Sequence, residues 1–124
     1  MQDEPTPTEL IKAVADFLRN EITPVIKGHN AFKLRVGINA LDLVTRQLAL
    51  AEQGDAAEAA RLKQLLGADC ALLELNRALS EKIASGEVDL TTPGLSEHLW
   101  QTTMDKLAVD QPNYASYKRE LGGK

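Results

Sequence analysis

Residues 31–52 read AFKLRVGINALDLVTRQLALAE, and this stretch decides the fold class. An α-helix turns about 100° per residue. On that wheel Phe32, Val36, Leu43 and Leu50 fall on one side, and Leu34, Ile38, Leu41, Val44 and Leu48 cover the opposite flank. The polar residues reduce to a strip of Arg35, Asn39, Asp42 and Arg46, spaced 4, 3 and 4. This is the period of a helix and not the alternation of a strand. A helix that is apolar on nearly all sides is buried on several of them. The spacing predicts a helix over residues 31–52, about 30 Å long. It is either the central helix of a bundle or part of a subunit interface, with Leu41 buried.

The flanking segments carry helix punctuation. Thr6-Pro7-Thr8-Glu9 sets Thr6 as an N-cap, Pro7 in the first turn and Glu9 at the third position, a capping box. Leu10, Val14, Phe17, Leu18 and Ile22 follow at helical spacing, and Pro24 ends or kinks the helix near residues 21–23. After residue 52, Asp55 with Glu58 reads as the start of a short helix over 56–66 that closes at Gly67. A further helix begins after Asp69, carries the stripe Leu72, Leu75, Leu79 and Ile83, and stops at Gly86. Thr92 and Pro93 open the last long helix, which reaches about Val109 before Pro112. Tyr114 and Tyr117 lie in a tail with room for one more turn, and residues 1–5 and 121–124 are expected to fray. Short connections make neighbouring helices antiparallel. The expectation is all-α: a single domain over 1–124, a four- or five-helix up-down bundle with a long central helix at about 31–52.

Composition bounds the function. The chain has 124 residues, 44% of them apolar, with 14 Lys and Arg against 18 Asp and Glu. A length of this order fits one domain. The net charge of −4 and 4% aromatic content argue against nucleic acid, which asks for a concentrated positive field or stacking rings. No run of about 18 apolar residues crosses a membrane, and the acidic start lacks the apolar core of a secretory signal. A lone cysteine, Cys70, is expected as a small, partly buried structural residue and fits a reducing cytoplasm.

Catalytic and metal-binding spacings are missing. No Cys-x-x-Cys, Glu-x-x-His or His-Glu-x-x-His occurs, and neither does a phosphate loop or a nucleophile elbow. No metal or cofactor is therefore expected, and His29 and His98 read as a turn and a surface histidine. The strip Arg35–Asn39–Asp42–Arg46 has three open readings: a solvated face, a semi-buried ion network that fixes how the helix meets its neighbours, or an anion site. In the last, Lys27, His29, Lys33, Arg35 and Asn39 gather near a helix start, where backbone amides and the dipole favour negative charge.

Several stretches together carry a resemblance. They are Phe17-Leu18-Arg19 with Pro24, Phe32-Lys33-Leu34-Arg35-Val36-Gly37-Ile38-Asn39-Ala40-Leu41, the helix end at 62–67, Leu75-Asn76-Arg77, and Lys106-Leu107-Ala108-Val109 with Pro112 and Tyr114. Over nearly its full length the chain resembles a family of small bacterial proteins of unknown function, often labelled acyl-CoA dehydrogenase-related. Their genes tend to accompany an acyl-CoA dehydrogenase and an aminoglycoside-phosphotransferase-like kinase. The resemblance implies no catalytic residue at any position here. The chain is too short for a flavin acyl-CoA dehydrogenase fold, so it is not that enzyme by itself.

Two functions follow as expectations. The first is a non-catalytic accessory protein of the cytoplasm that binds a kinase-like or dehydrogenase partner and forms a homodimer. The second is a binder of, or helical enzyme for, an anionic phosphate- or CoA-bearing metabolite, with Lys27, His29, Lys33, Arg35 and Asn39 as contacts. The capping signals and stripes predict a circular-dichroism spectrum with over half the residues in helix; a spectrum dominated by strand would contradict them.

Overall fold

The computed structural model describes residues 4–122. They form five α-helices, α1 (Pro7–Phe17), α2 (His29–Leu66), α3 (Leu72–Ser85), α4 (Leu95–Asp110) and α5 (Ala115–Leu121), with no strand among the described residues. The all-α expectation holds. The expected fraying at 1–3 and 123–124 lies outside the described residues, while Leu121 closes α5.

The chain divides into two compact units, Met1–Leu50 and Ala51–Lys124, and the boundary falls within α2. In the first unit the capping box forms as read. Thr6 Oγ1 accepts from the Glu9 amide at 3.2 Å, and Glu9 accepts from the Thr6 amide at 3.2 Å. The expected interruption before Pro24 takes the form of a π-helical turn, Leu18–Ile22, followed by a 3-10 turn, Thr23–Val25. Thr23 Oγ1 donates back to the Leu18 carbonyl at 3.0 Å, inside that turn.

Three expectations change. The helices expected at 31–52 and 56–66 are one helix of 38 residues. Gly54 sits in its interior and carries no positive φ. A helical glycine costs about 1 kcal/mol relative to alanine but does not break the hydrogen-bond ladder, and the Ala, Glu, Gln and Leu around it favour helix. Glu58, read as a capping residue, instead accepts from Asn76 Nδ2 at 3.0 Å. The last long helix starts at Leu95, two residues later than Pro93 would set it, with Gly94 as N-cap at φ 88. Thr92 Oγ1 already accepts from the Asp89 amide at 3.0 Å, so it closes that turn and does not cap the helix. Cys70 is exposed, not partly buried.

The units differ in how well they hide apolar surface. In the second, Leu62, Leu75, Leu79, Val88 and Leu95 form a buried cluster edged by Ala59, Leu66 and Leu72. Among the described residues of the first, only Ala15 and Ile38 are buried. Leu41, expected in the core, is half-buried. It lies with Leu34 and Thr45 on the stripe of Ile38, and all three are intermediate in exposure. The opposite side of α2, Phe32, Val36, Leu43 and Leu50, stays 38–55% exposed. The central-helix reading of residues 31–52 is thereby corrected, because one apolar side of the helix is covered only along Leu34, Ile38 and Leu41, with Val44 and Leu48 exposed at its edge, and the other side is not covered.

These burial values order the cost of truncation. Leu75 is 0% exposed, and Leu75→Ala should cost about 2–5 kcal/mol in urea unfolding. Leu41→Ala should cost clearly less. Equal losses would contradict this assignment of the core.

Candidate functional site

The five residues expected to gather at the start of α2 do not converge. Lys27 precedes the helix, and Lys27, His29, Lys33, Arg35 and Asn39 are all exposed. Four-residue spacing pairs His29 with Lys33 and Arg35 with Asn39, and at about 100° per residue the two pairs face directions about 120° apart. What links part of the set is a ring. The His29 imidazole stacks on Phe32 with centroids 6.3 Å apart, and the Arg35 guanidinium lies 6.0 Å from the Phe32 centroid. In the polar strip, Asp42 accepts from Arg19 Nη2 at 2.6 Å, and Arg19 Nη1 donates to Asp16 at 3.0 Å. Lys12 also donates to Asp16. Its hydrogen bond, together with the Arg19 charge, holds the Asp16 carboxyl below its ordinary value. Arg19 and Asp42 are 42% and 36% exposed, so the pair fixes geometry more than it stabilises.

The second unit holds a constellation that the sequence reading missed. His98, read there as a surface histidine, is 2% exposed. Its Nδ1 accepts from Arg61 Nε at 3.1 Å. Arg61 reaches across with Nη2 to Thr102 Oγ1 at 3.3 Å and comes within 4.0 Å of Asp105. Helical spacing makes this possible: Leu95, His98, Thr102 and Asp105 are 3, 4 and 3 apart, one face of α4. Leu95, at the buried end of that face, draws His98 inward, and the fork of Arg61 satisfies the ring nitrogen. The clue was available in the register of His98 to Leu95. The partner was not, since Arg61 is 37 residues away in sequence.

An open cleft of about 550 Å³ borders this pair. Arg61, Gln64 and Leu65 from α2 line it together with Thr92, Pro93 and Gly94 before α4, and Glu97 and His98 complete the wall. Among the described residues no group of three or more His, Cys, Asp or Glu is placed to hold a metal ion. Nor is any helix among them long and apolar enough to cross a membrane.

Residues 24–114 match the model of a family described as a domain of unknown function, DUF6285. The chain belongs to this family. The match spans most of the stretches that carry the resemblance, and its description names no acyl-CoA connection. No curated protein and no solved structure matches the chain.

The DUF6285 chain places a titratable group where folding must respond to pH. Burial, and then the positive charge of Arg61, push the His98 pKa below its ordinary value of 6.5, against the raising effect of Glu58. As pH falls below about 6.5 the unfolded chain therefore takes up a proton that the folded chain refuses. Stability is lost progressively through that window, down to the folded-state pKa. The urea midpoint should fall more steeply between about pH 7.5 and pH 5.5 in the wild type than in His98→Gln, which cannot titrate. Equal falls would contradict a buried neutral imidazole.

Proposed function

We propose that this protein is a non-catalytic interaction protein that assembles through the outer faces of its first unit, with a second copy of the chain as the first occupant. The observation that carries the reading is exposure without disorder of sequence pattern. Ten large apolar residues of the first unit are 38–69% exposed: Leu10, Val14 and Phe17 in α1, Val25 in the turn, and Phe32, Val36, Leu43, Val44, Leu48 and Leu50 in α2. They are ordered into stripes, with spacings 4 and 3 in α1 and 4, 7 and 7 along Phe32, Val36, Leu43 and Leu50.

The amount supports a second copy. Ten such side chains at about half exposure leave on the order of 500 Å² of apolar surface in water. It is divided among faces: Phe32, Val36, Leu43 and Leu50 share one side of α2, and Val44 and Leu48 lie on its opposite flank. It also approximates the apolar share of one side of a standard interface, which is about 800 Å² per partner and a little over half apolar. Burying the same patch on both copies about a two-fold axis is the economical closed arrangement. Val36, Leu43 and Leu50 recur at seven residues, which supplies one of the two positions of a helix–helix seam, and Asn39 and Arg46 fall at the other. A polar residue in a seam lowers stability and selects register. The 124 residues are proposed to fold as one domain, because a single helix, α2, runs through both units. A kinase-like or dehydrogenase partner in acyl-CoA metabolism, and a bacterial source, rest on the resemblance alone, and a cytoplasmic setting rests on the lone Cys70.

Light scattering across micromolar concentrations tests the assembly. The mass should approach twice the 13.5 kDa of one chain. Leu43→Lys should return it to one chain while the helical circular-dichroism signal is kept. A mass of one chain throughout, or a dimer that Leu43→Lys leaves intact, would overturn the proposal.

A further inference from the structure

The Arg61–His98 pair does more than join α2 to α4. An imidazole that accepts a hydrogen bond at Nδ1 while neutral carries its proton on Nε2. Among the described residues no acceptor for that N–H is found. Yet no fully buried side-chain nitrogen or oxygen among them lacks a partner. Nε2 therefore keeps a sliver of accessible surface on a residue only 2% exposed, and His98 is among the residues that line the cleft of about 550 Å³. Arg61 borders the same space with its side chain 25% exposed. Of the five guanidinium N–H groups, one is given to His98 and one to Thr102. Asp105, 4.0 Å away and itself 40% exposed, neutralises the charge only weakly.

We propose that this cleft binds a small monocarboxylate, with the carboxylate held by the Arg61 guanidinium and the His98 Nε2–H. The planar fork of arginine matches the two oxygens of a carboxylate. The lining limits the charge of the ligand. It contains one cation and one carboxylate, Glu97, in a chain of net charge −4. A dianion such as phosphate would meet the repulsion of Glu97 with a single guanidinium to offset it. Leu65 and Pro93 offer the ligand body an apolar wall, and Gln64 supplies an amide. The volume suits a small metabolite. Burial and the neighbouring guanidinium keep His98 neutral, so it acts as a hydrogen-bond donor of fixed tautomer and not as a second cation. The site lies wholly in the second unit, so it stands or falls separately from assembly through the first.

The test is an NMR titration of the imidazole nitrogens in the full chain, with sodium butyrate and with inorganic phosphate at constant ionic strength. The chain has two histidines, so His29→Gln assigns both signals. Butyrate should shift the His98 Nε2 signal saturably and leave His29 in place, while phosphate produces no saturable shift. Glu97→Gln, at an exposed position, should tighten butyrate binding about 2–5-fold by removing a like charge. Arg61→Gln should weaken it about 10–100-fold by removing a charged donor pair. Shifts that grow linearly with salt, saturation by phosphate at equal or lower concentration, or indifference to Glu97→Gln would overturn the proposal. Glu97→Gln decides the matter alone if Arg61→Gln fails to fold.

Discussion

The first half of α2 is apolar on two opposite sides, and one packing partner buries only one side of a helix. Ile38 marks the covered side; Phe32, Val36, Leu43 and Leu50 mark the other. Everything particular to the first unit follows from this. Among its described residues, the Arg19–Asp42 pair lies near the surface, only Ala15 and Ile38 are buried, and Phe17 and Phe32 remain largely in water. A unit so built either remains marginal or completes its core with another surface. The seven-residue recurrence of the exposed stripe supplies one of the two apolar positions of a helix–helix seam, and Asn39 and Arg46 occupy the other.

The second unit has a core of its own, although Leu73, Leu90 and Trp100 stay exposed. There α2, α3 and α4 bring apolar residues inward, and Leu62, Leu75, Leu79 and Leu95 meet at 0–4% exposure. The polar insertion into this interior, His98, comes with its donor, Arg61. Removing Arg61 would leave the His98 ring nitrogen buried and unsatisfied, which costs more than the pair itself contributes. That same pair lines a cleft. A stabilising contact and a candidate binding surface thus share two side chains.

Much of the fold was legible in the sequence, because caps and stripes are local. The Thr6–Glu9 capping box, the disturbance before Pro24, the stop at Gly86 and the stripe Leu75–Leu79 all rest on residues within one or two turns of each other. The break at Gly54-Asp55 was misread because turn residues signal a stop only when the neighbouring turns do not sustain the helix. Thr92 was misread because its hydroxyl had a closer client in the Asp89 amide. For the candidate site, the basic residues at the start of α2 share a segment but not a direction, and helical rotation separates them. Arg61 and His98 share a direction but not a segment. That pairing belongs to tertiary structure, so spacing in the chain could not reveal it.

The central claim is that the outer side of residues 32–50 is covered only by association. Amide hydrogen exchange measured at low and high protein concentration tests it most directly, since opening free energies report local protection. Protection of Val36, Leu43 and their helix neighbours should rise with concentration, while that around Leu62, Leu75 and Leu79 should rise far less. Protection of residues 32–50 that is already maximal at the lowest concentration, and constant above it, would contradict the claim.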